Sequence, residues 1–191
     1  ALMWMALVPV ALAEPPTDVQ GRYDVVSISE AGGDHEEFVD KMRRRALAVG
    51  QDCYISRRTF DFGPVADGQR PTQVAISEQV SCKKGGLGTY YAVATLEVDA
   101  TWTDGDPAQL AVSGGATWIA MTRLQKPRDV GIAAQWAAPE YKWELTPTTY
   151  QISAEKVWGN KVPPLVLTDG NTAYKLEPRE ADGSERKPGK K

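Results

Sequence analysis

Histidine and cysteine are scarce in this chain: His35 is the only histidine, and Cys53 and Cys82 are the only cysteines, in 191 residues. So few nitrogen and sulfur ligands, with the two cysteines expected to bond to each other, come close to excluding a thiolate or imidazole zinc site. A nucleophile–His–carboxylate triad would have to use His35, which reads as an exposed residue in a first helical turn. Charge of one sign is lacking too, since 22 Lys and Arg against 25 Asp and Glu leave −3. Nucleic acid is therefore not an expected partner, because phosphate binding wants a concentrated basic surface. Lys187, Lys190 and Lys191 read as a solvated tail. Gly85-Gly86-Leu87-Gly88 has no strand–loop–helix context and is not a phosphate loop. Asp99, Asp104 and Asp106 offer oxygens to calcium, but Asp104-Gly105-Asp106-Pro107 is turn chemistry without calcium-loop spacing. No catalytic set, metal or cofactor is expected. An enzyme working through Ser, Tyr or carboxylates alone finds no motif in its support.

Long apolar runs are absent beyond Ala1–Ala13, so no stable membrane span is expected in a mature chain. That first segment, ALMWMALVPVALA, ends in Ala11 and Ala13 and has the character of a signal h-region with an A-x-A cleavage site before Glu14. A retained anchor is the rival reading. At about 1.5 Å per residue the segment reaches only about 20 Å, short of a bilayer core. The expected organisation is a signal at 1–13, a linker at 14–20, one domain at 21–178 and a disordered charged tail at 179–191. The expected location is periplasmic or secreted, an oxidising compartment in which Cys53 and Cys82 would pair. Cys53 to Phe62 and Thr72 to Lys83 are both strand-like and flank the hairpin signal Asp67-Gly68. Folded symmetrically about it, the two cysteines face each other, and facing Cβ atoms approach as a disulfide requires. Pro64 and Pro71 also face each other, which widens the turn into a loop.

What the chain has in quantity is alternation. Tyr90, Ala92, Ala94, Leu96, Val98, Ala100 and Trp102 fall on one face, and polar residues dominate the other. After the turn at 104–107 the pattern restarts with Leu110, Val112, Ala116, Trp118, Ala120 and Leu124, with a bend expected at Gly114-Gly115. A period of two means a sheet with one dry side and one wet side. Gly21 to Ser29 reads as a first strand. A helix is expected next, with Asp34 as N-cap, Glu37 completing a capping box, Gly50 at C′, and Phe38, Met42, Ala46 and Val49 as its apolar stripe. Residues 126–139 read as a short helix or crossover. One hairpin is expected around Thr146-Pro147 and a last one around Asp169-Gly170-Asn171. The expected fold is all-β: an antiparallel up-and-down barrel of about eight strands with one helix after the first strand.

The chain resembles the bacterial lipocalin-like (calycin-type) proteins. The resemblance rests on Gly21-Arg22-Tyr23-Asp24-Val25-Val26-Ser27-Ile28, a first strand opening with Gly-x-aromatic. It rests also on the closing segments Thr149 to Ser153 and Leu165 to Leu176. Tyr23 stands where the family has Trp, and residues 155–164 form a Pro-bearing insertion. The resemblance implies a small antiparallel barrel and binding of an apolar molecule.

In the symmetric register Ile55 faces Val80, Arg57 faces Glu78 and Thr59 faces Ile76. Were that face inward, Arg57 and Glu78 would form a charge pair able to hold a ligand carboxylate. The competing face carries Tyr54, Phe60 and Phe62, and its burial would leave the pair solvated, the favoured reading. Trp102, Trp118 and Trp143 are expected on the inner face, as core or as a ligand wall. Trp136 and Trp158 fall in loops, where aromatic residues serve as interface anchors. The leading expectation is an exported binding protein for a small apolar or amphipathic ligand, with Arg57, Glu78, Trp102, Trp118 and Trp143 as its ligand residues. The alternative is an accessory subunit of an envelope or extracellular assembly, with a protein partner or a second copy of itself.

Overall fold

Two hydrogen-bonded seams decide the architecture, and the computed structural model describes them within residues 19–45, 47, 53–66, 68–83, 89–120, 122–123, 140–158 and 162–179. The first strand, β1 (Arg22–Glu30), is followed by a two-residue β2 (Glu36–Glu37), helix α1 (Phe38–Arg43), β3 (Cys53–Asp61), β4 (Gln73–Lys83) and β5 (Thr89–Thr103). Then come β6 (Ala108–Val112), β7 (Gly115–Ala120), β8 (Thr122–Arg123), β9 (Glu140–Leu145), β10 (Thr148–Ala154), β11 (Leu165–Asp169) and β12 (Thr172–Arg179). Around the sheet the order is β12, β11, β10, β6, β5, β4, β3, β1, and β1 pairs back onto β12. The result is a closed antiparallel barrel of 8 strands with one short helix after the first strand. Closure removes the exposed edges that an open sheet of this size would carry.

The period of two holds where it was clearest. Ala92, Ala94, Val98 and Ala100 of β5 are buried, with Leu96 and Trp102 packed on the core, and Leu110 and Val112 of β6 join them. On β4 every second residue from Val74 to Cys82 is buried. The last hairpin turns at Gly170-Asn171 with Gly170 at φ 52°, the positive φ that a two-residue hairpin loop takes at its first position.

Four expectations are corrected. First, α1 spans only Phe38–Arg43 and its N-cap residue is Glu37, without a side-chain cap. Glu36 and Glu37 pair with Ile28 and Ser27 of β1, so the backbone a helix from Asp34 would use is held extended. Phe38 and Met42 are buried as its apolar stripe, while Ala46, Val49 and Gly50 lie outside the described residues. Second, Thr146-Pro147 is not a hairpin turn. β9 pairs with β7 in the register that β10 keeps with β6, so β9 and β10 are one strand interrupted at that dipeptide. Third, β6 and β7 are likewise interrupted at Ser113-Gly114, and past that point the chain leaves the barrel wall for a two-stranded ribbon with β9. Trp118 consequently sits on the ribbon's outer face, 66% exposed, and Ala116 beside it is exposed. Trp143, on the opposite face of the ribbon, is buried. Fourth, Arg179, assigned to the tail, belongs to β12 and pairs with Arg22. The signal at 1–13, the glycine run at 85–88, Leu124, the crossover at 126–139 with Trp136, and the tail from 180 lie outside the described residues.

Candidate functional site

Cys53 faces Cys82 in the β3–β4 ladder, and the two form a disulfide. The expected register continues through Ile55 and Val80, then shifts by one residue at Ser56. Beyond this β-bulge Arg57 faces Gln79 and Arg58 faces Glu78. An extra residue in one strand flips the face of everything after it. Both competing faces of β3 are therefore turned to the core in turn: Cys53 and Ile55 before the bulge, Arg58, Phe60 and Phe62 after it. The charge pair inside the barrel is Arg58–Glu78 rather than Arg57–Glu78.

Ser56 holds the bulge in place. Its hydroxyl donates to the Gln79 carbonyl at 3.2 Å and accepts from Gln79 Nε2 at 3.1 Å and Ser81 Oγ at 2.7 Å. β1 carries a matching bulge between Val25 and Ser27. The ladder between β1 and β3 covers only Arg22–Asp24 against Asp61–Thr59, and the strands part where the bulges begin. Helix α1 packs into the gap against both strands.

Two layers of charge flank this opening. Outside lies a cleft of about 590 Å³, with Val25, Val26, Phe38 and Val39 as apolar lining and Asp24, Ser56, Arg57, Gln79 and Arg179 among its polar groups. Asp24 is its hub. Arg57 donates from Nε at 3.0 Å and from Nη2 at 2.6 Å to Asp24 Oδ2, and Arg179 Nε adds a third bond to the same oxygen at 3.1 Å. Inside, Arg58 donates from Nε at 2.8 Å and Nη2 at 2.5 Å to Glu78 Oε1. The Arg58 guanidinium lies over the Phe38 ring at 5.7 Å and the Tyr174 ring at 5.9 Å, within cation–π reach. Burial works most strongly against the Arg58 charge, but the adjoining Glu78 carboxylate, Tyr174 and Tyr150 together hold the guanidinium above its ordinary range. Tyr150 completes the wall, edge-on to Phe60 and to Tyr174. Burial pushes its phenol up to about 12. Phe38 is shared by both layers, lining the cleft and lying under Arg58.

The five ligand residues expected from the sequence do not converge. Glu78 is inside, and Arg57 is outside on Asp24. Trp102 is one β-strand end away: it lies eight positions along β5 from Ala94, the residue facing Glu78, or roughly 26 Å at strand rise. There its Nε1 donates to the Pro71 carbonyl at 2.8 Å and Arg70 covers its ring, so it seals the loop end of the core. Trp118 and Trp143 belong to the ribbon. Arg58, Phe38, Tyr150, Tyr174, Asp24 and Arg179 were missed. The tandem Arg57-Arg58 was the available signal, since one of two adjacent strand residues always faces inward.

His35 is exposed, with Nδ1 3.3 Å from Ser27 Oγ. Asp104 pairs with Arg70 at 2.6 Å. Among the described residues no group of three or more His, Cys, Asp or Glu side chains is placed to hold a metal, and no helix is long and apolar enough to cross a membrane. The chain matches no protein-family model, no curated protein and no solved structure.

Proposed function

We propose that the chain is an exported, non-enzymatic binding protein for a small amphipathic molecule, in keeping with its lipocalin-like resemblance. The observation that carries this reading is the opening between β1 and β3, a charge-rimmed cleft with Val25, Val26, Phe38 and Val39 in its lining and a buried ion pair behind Phe38. Ligand sites of this kind combine apolar walls with a few fixed polar groups. The Cys53–Cys82 disulfide supports export, because such bonds persist in oxidising compartments. Native mass spectrometry of protein purified gently from its own source, repeated under denaturing conditions, tests the reading. A small mass lost on denaturation supports it; a protein free of small molecules, alone or in a complex, overturns it.

A second reading, an accessory subunit of an envelope or extracellular assembly, is favoured by Trp118 at 66% and Trp158 at 95% exposure. Large aromatic side chains left in water are the usual anchors of protein interfaces. A stoichiometric protein complex in the same experiment supports this reading, and a strictly monomeric protein overturns it.

A further inference from the structure

We infer that the barrel interior receives a hydrogen-bond-donating head group, a hydroxyl or an ammonium, at Glu78 Oε2, and rejects a carboxylate there. The inference rests on the binding reading above and gives it a ligand class. Glu78 is 2% exposed and points inward with Ile76 and Val80. Both bonds from Arg58 end on Oε1, whereas Oε2 is buried with no hydrogen-bond partner. A buried carboxylate oxygen left unmet is costly, and buried polar atoms are met as a rule. Arg58 is already engaged by the protein's own carboxylate. A ligand carboxylate at this place would set a second negative charge against Glu78 where water screens poorly. A donor does the opposite, completing Glu78 without displacing Arg58.

The inward neighbours of Glu78 across the ladder are small. Across the β4–β5 ladder Glu78 faces Ala94, and Val80 faces Ala92, the smallest side chains available to an inward strand position. Both alanines are themselves buried, so the face beside Glu78 is lined by small methyl groups. On its other side β5 pairs with β6 from Ala100 to Thr103 and with β8 at Tyr90 and Tyr91, and β7 packs beside it between them. Arg58, over the Phe38 and Tyr174 rings, closes the opposite flank.

The test compares decyl probes by titration calorimetry with the full chain at neutral pH: 1-decanol, its methyl ether, decylamine and decanoate. The alcohol and the ether differ in the one donor. The alcohol is expected to bind roughly tenfold or more tightly than the ether. The double variant Arg58→Met/Glu78→Leu, which removes both charges and keeps the volume, is expected to remain folded and to bind the two alike. Decylamine tighter than decanol supports an ammonium head, and the reverse order supports a hydroxyl. Equal binding of ether and alcohol, tightest binding of decanoate, or discrimination that survives in the double variant overturns the inference. Failure of every probe while a small mass still leaves the native protein overturns it too, and leaves the binding function standing with its site elsewhere. Failure of every probe with no such mass takes both down.

Discussion

Replacing Arg58 with Met separates a partnered charge from an unpartnered one. Glu78 keeps 2% of its side chain exposed and Arg58 keeps 23%, so the carboxylate cannot reach water, and its charge is compensated by Arg58. Breaking a buried pair from one side costs about 3–5 kcal/mol, because a charge is left uncompensated. For a domain of this size each kcal/mol moves the melting temperature by roughly 2–4 °C, so Arg58→Met should melt roughly 6–20 °C lower. Glu78→Leu should cost less, since the longer, more exposed Arg58 can turn its guanidinium towards solvent. The double variant should come back to within about 1 kcal/mol of the parent or exceed it, because an apolar pair of similar volume carries no desolvation penalty. Urea unfolding of the four proteins, followed by circular dichroism, gives the coupling energy of the cycle. The reasoning fails if Arg58→Met costs under about 1 kcal/mol, or if the double variant is as unstable as the two single losses added together.

Other perturbations follow from the same contacts. Tyr150 ionises near 10 when unfolded and at about 12 in the barrel. Its contribution, about 3 kcal/mol for a shift of that size, is present below pH 10 and lost as pH rises from 10 towards 12, and Tyr150→Phe should remove that alkaline decline in melting temperature. Glu30 is held below its ordinary carboxylate range by Arg45 and then by Lys41. Its contribution is present above that ordinary range and lost as pH falls through the lowered value, so Glu30→Gln should flatten the acid side of the stability profile. Gly114→Ala would put a Cβ 2.6 Å from Pro147 Cδ and 2.7 Å from the Leu145 carbonyl oxygen, and should lower the urea midpoint by about 1–3 kcal/mol worth of stability. Reducing the Cys53–Cys82 bond, separated by 29 residues, should cost about 3–4 kcal/mol by the loop-closure estimate, read as the difference between unfolding curves with and without reductant.

The residues that could be read from the sequence are those whose position depends on parity alone. The inward set of β5, the Cys53–Cys82 pairing and the Gly170-Asn171 hairpin need no information beyond a period of two and a turn signal. What could not be read is where the count slips. Ser56 and Val26 carry no bulge signature of their own. Ser56 is an insertion because Gln79 and Ser81 are placed across the ladder to bond its hydroxyl, and that is a tertiary circumstance. A slip of one residue then moves the inward charge from Arg57 to Arg58. Trp118 escaped for a related reason. Its alternation was genuine, but the strand bearing it leaves the barrel at Gly114, where the backbone runs so close to Leu145 and Pro147 that only glycine fits.

The two bulges also explain why this seam, among the eight of the ring, carries the candidate site. A β-ladder saturates its backbone groups and leaves no space between neighbouring strands; parting β1 from β3 beyond Asp24 and Thr59 sacrifices that pairing. The loss is offset by filling the gap with α1, whose Phe38 and Met42 are buried in the core. Lys41 is then tied to Glu30 and Glu36, Arg44 to Glu36, and Arg45 to Glu30. The Arg44 and Arg45 pairs among these are exposed, a class that contributes little each. A short helix held mainly by two buried side chains is easier to displace than a strand held by its ladder. The wall of the barrel is thus weakest where an arginine pair faces outward on Asp24 and a third arginine faces inward on Glu78. If an amphipathic molecule reaches the interior, Phe38 is the side chain it must move. Phe38→Ala should then speed both binding and release of a decyl probe by a similar factor, leaving its affinity nearly unchanged; a change confined to affinity, with release unaltered, would show that the route lies elsewhere.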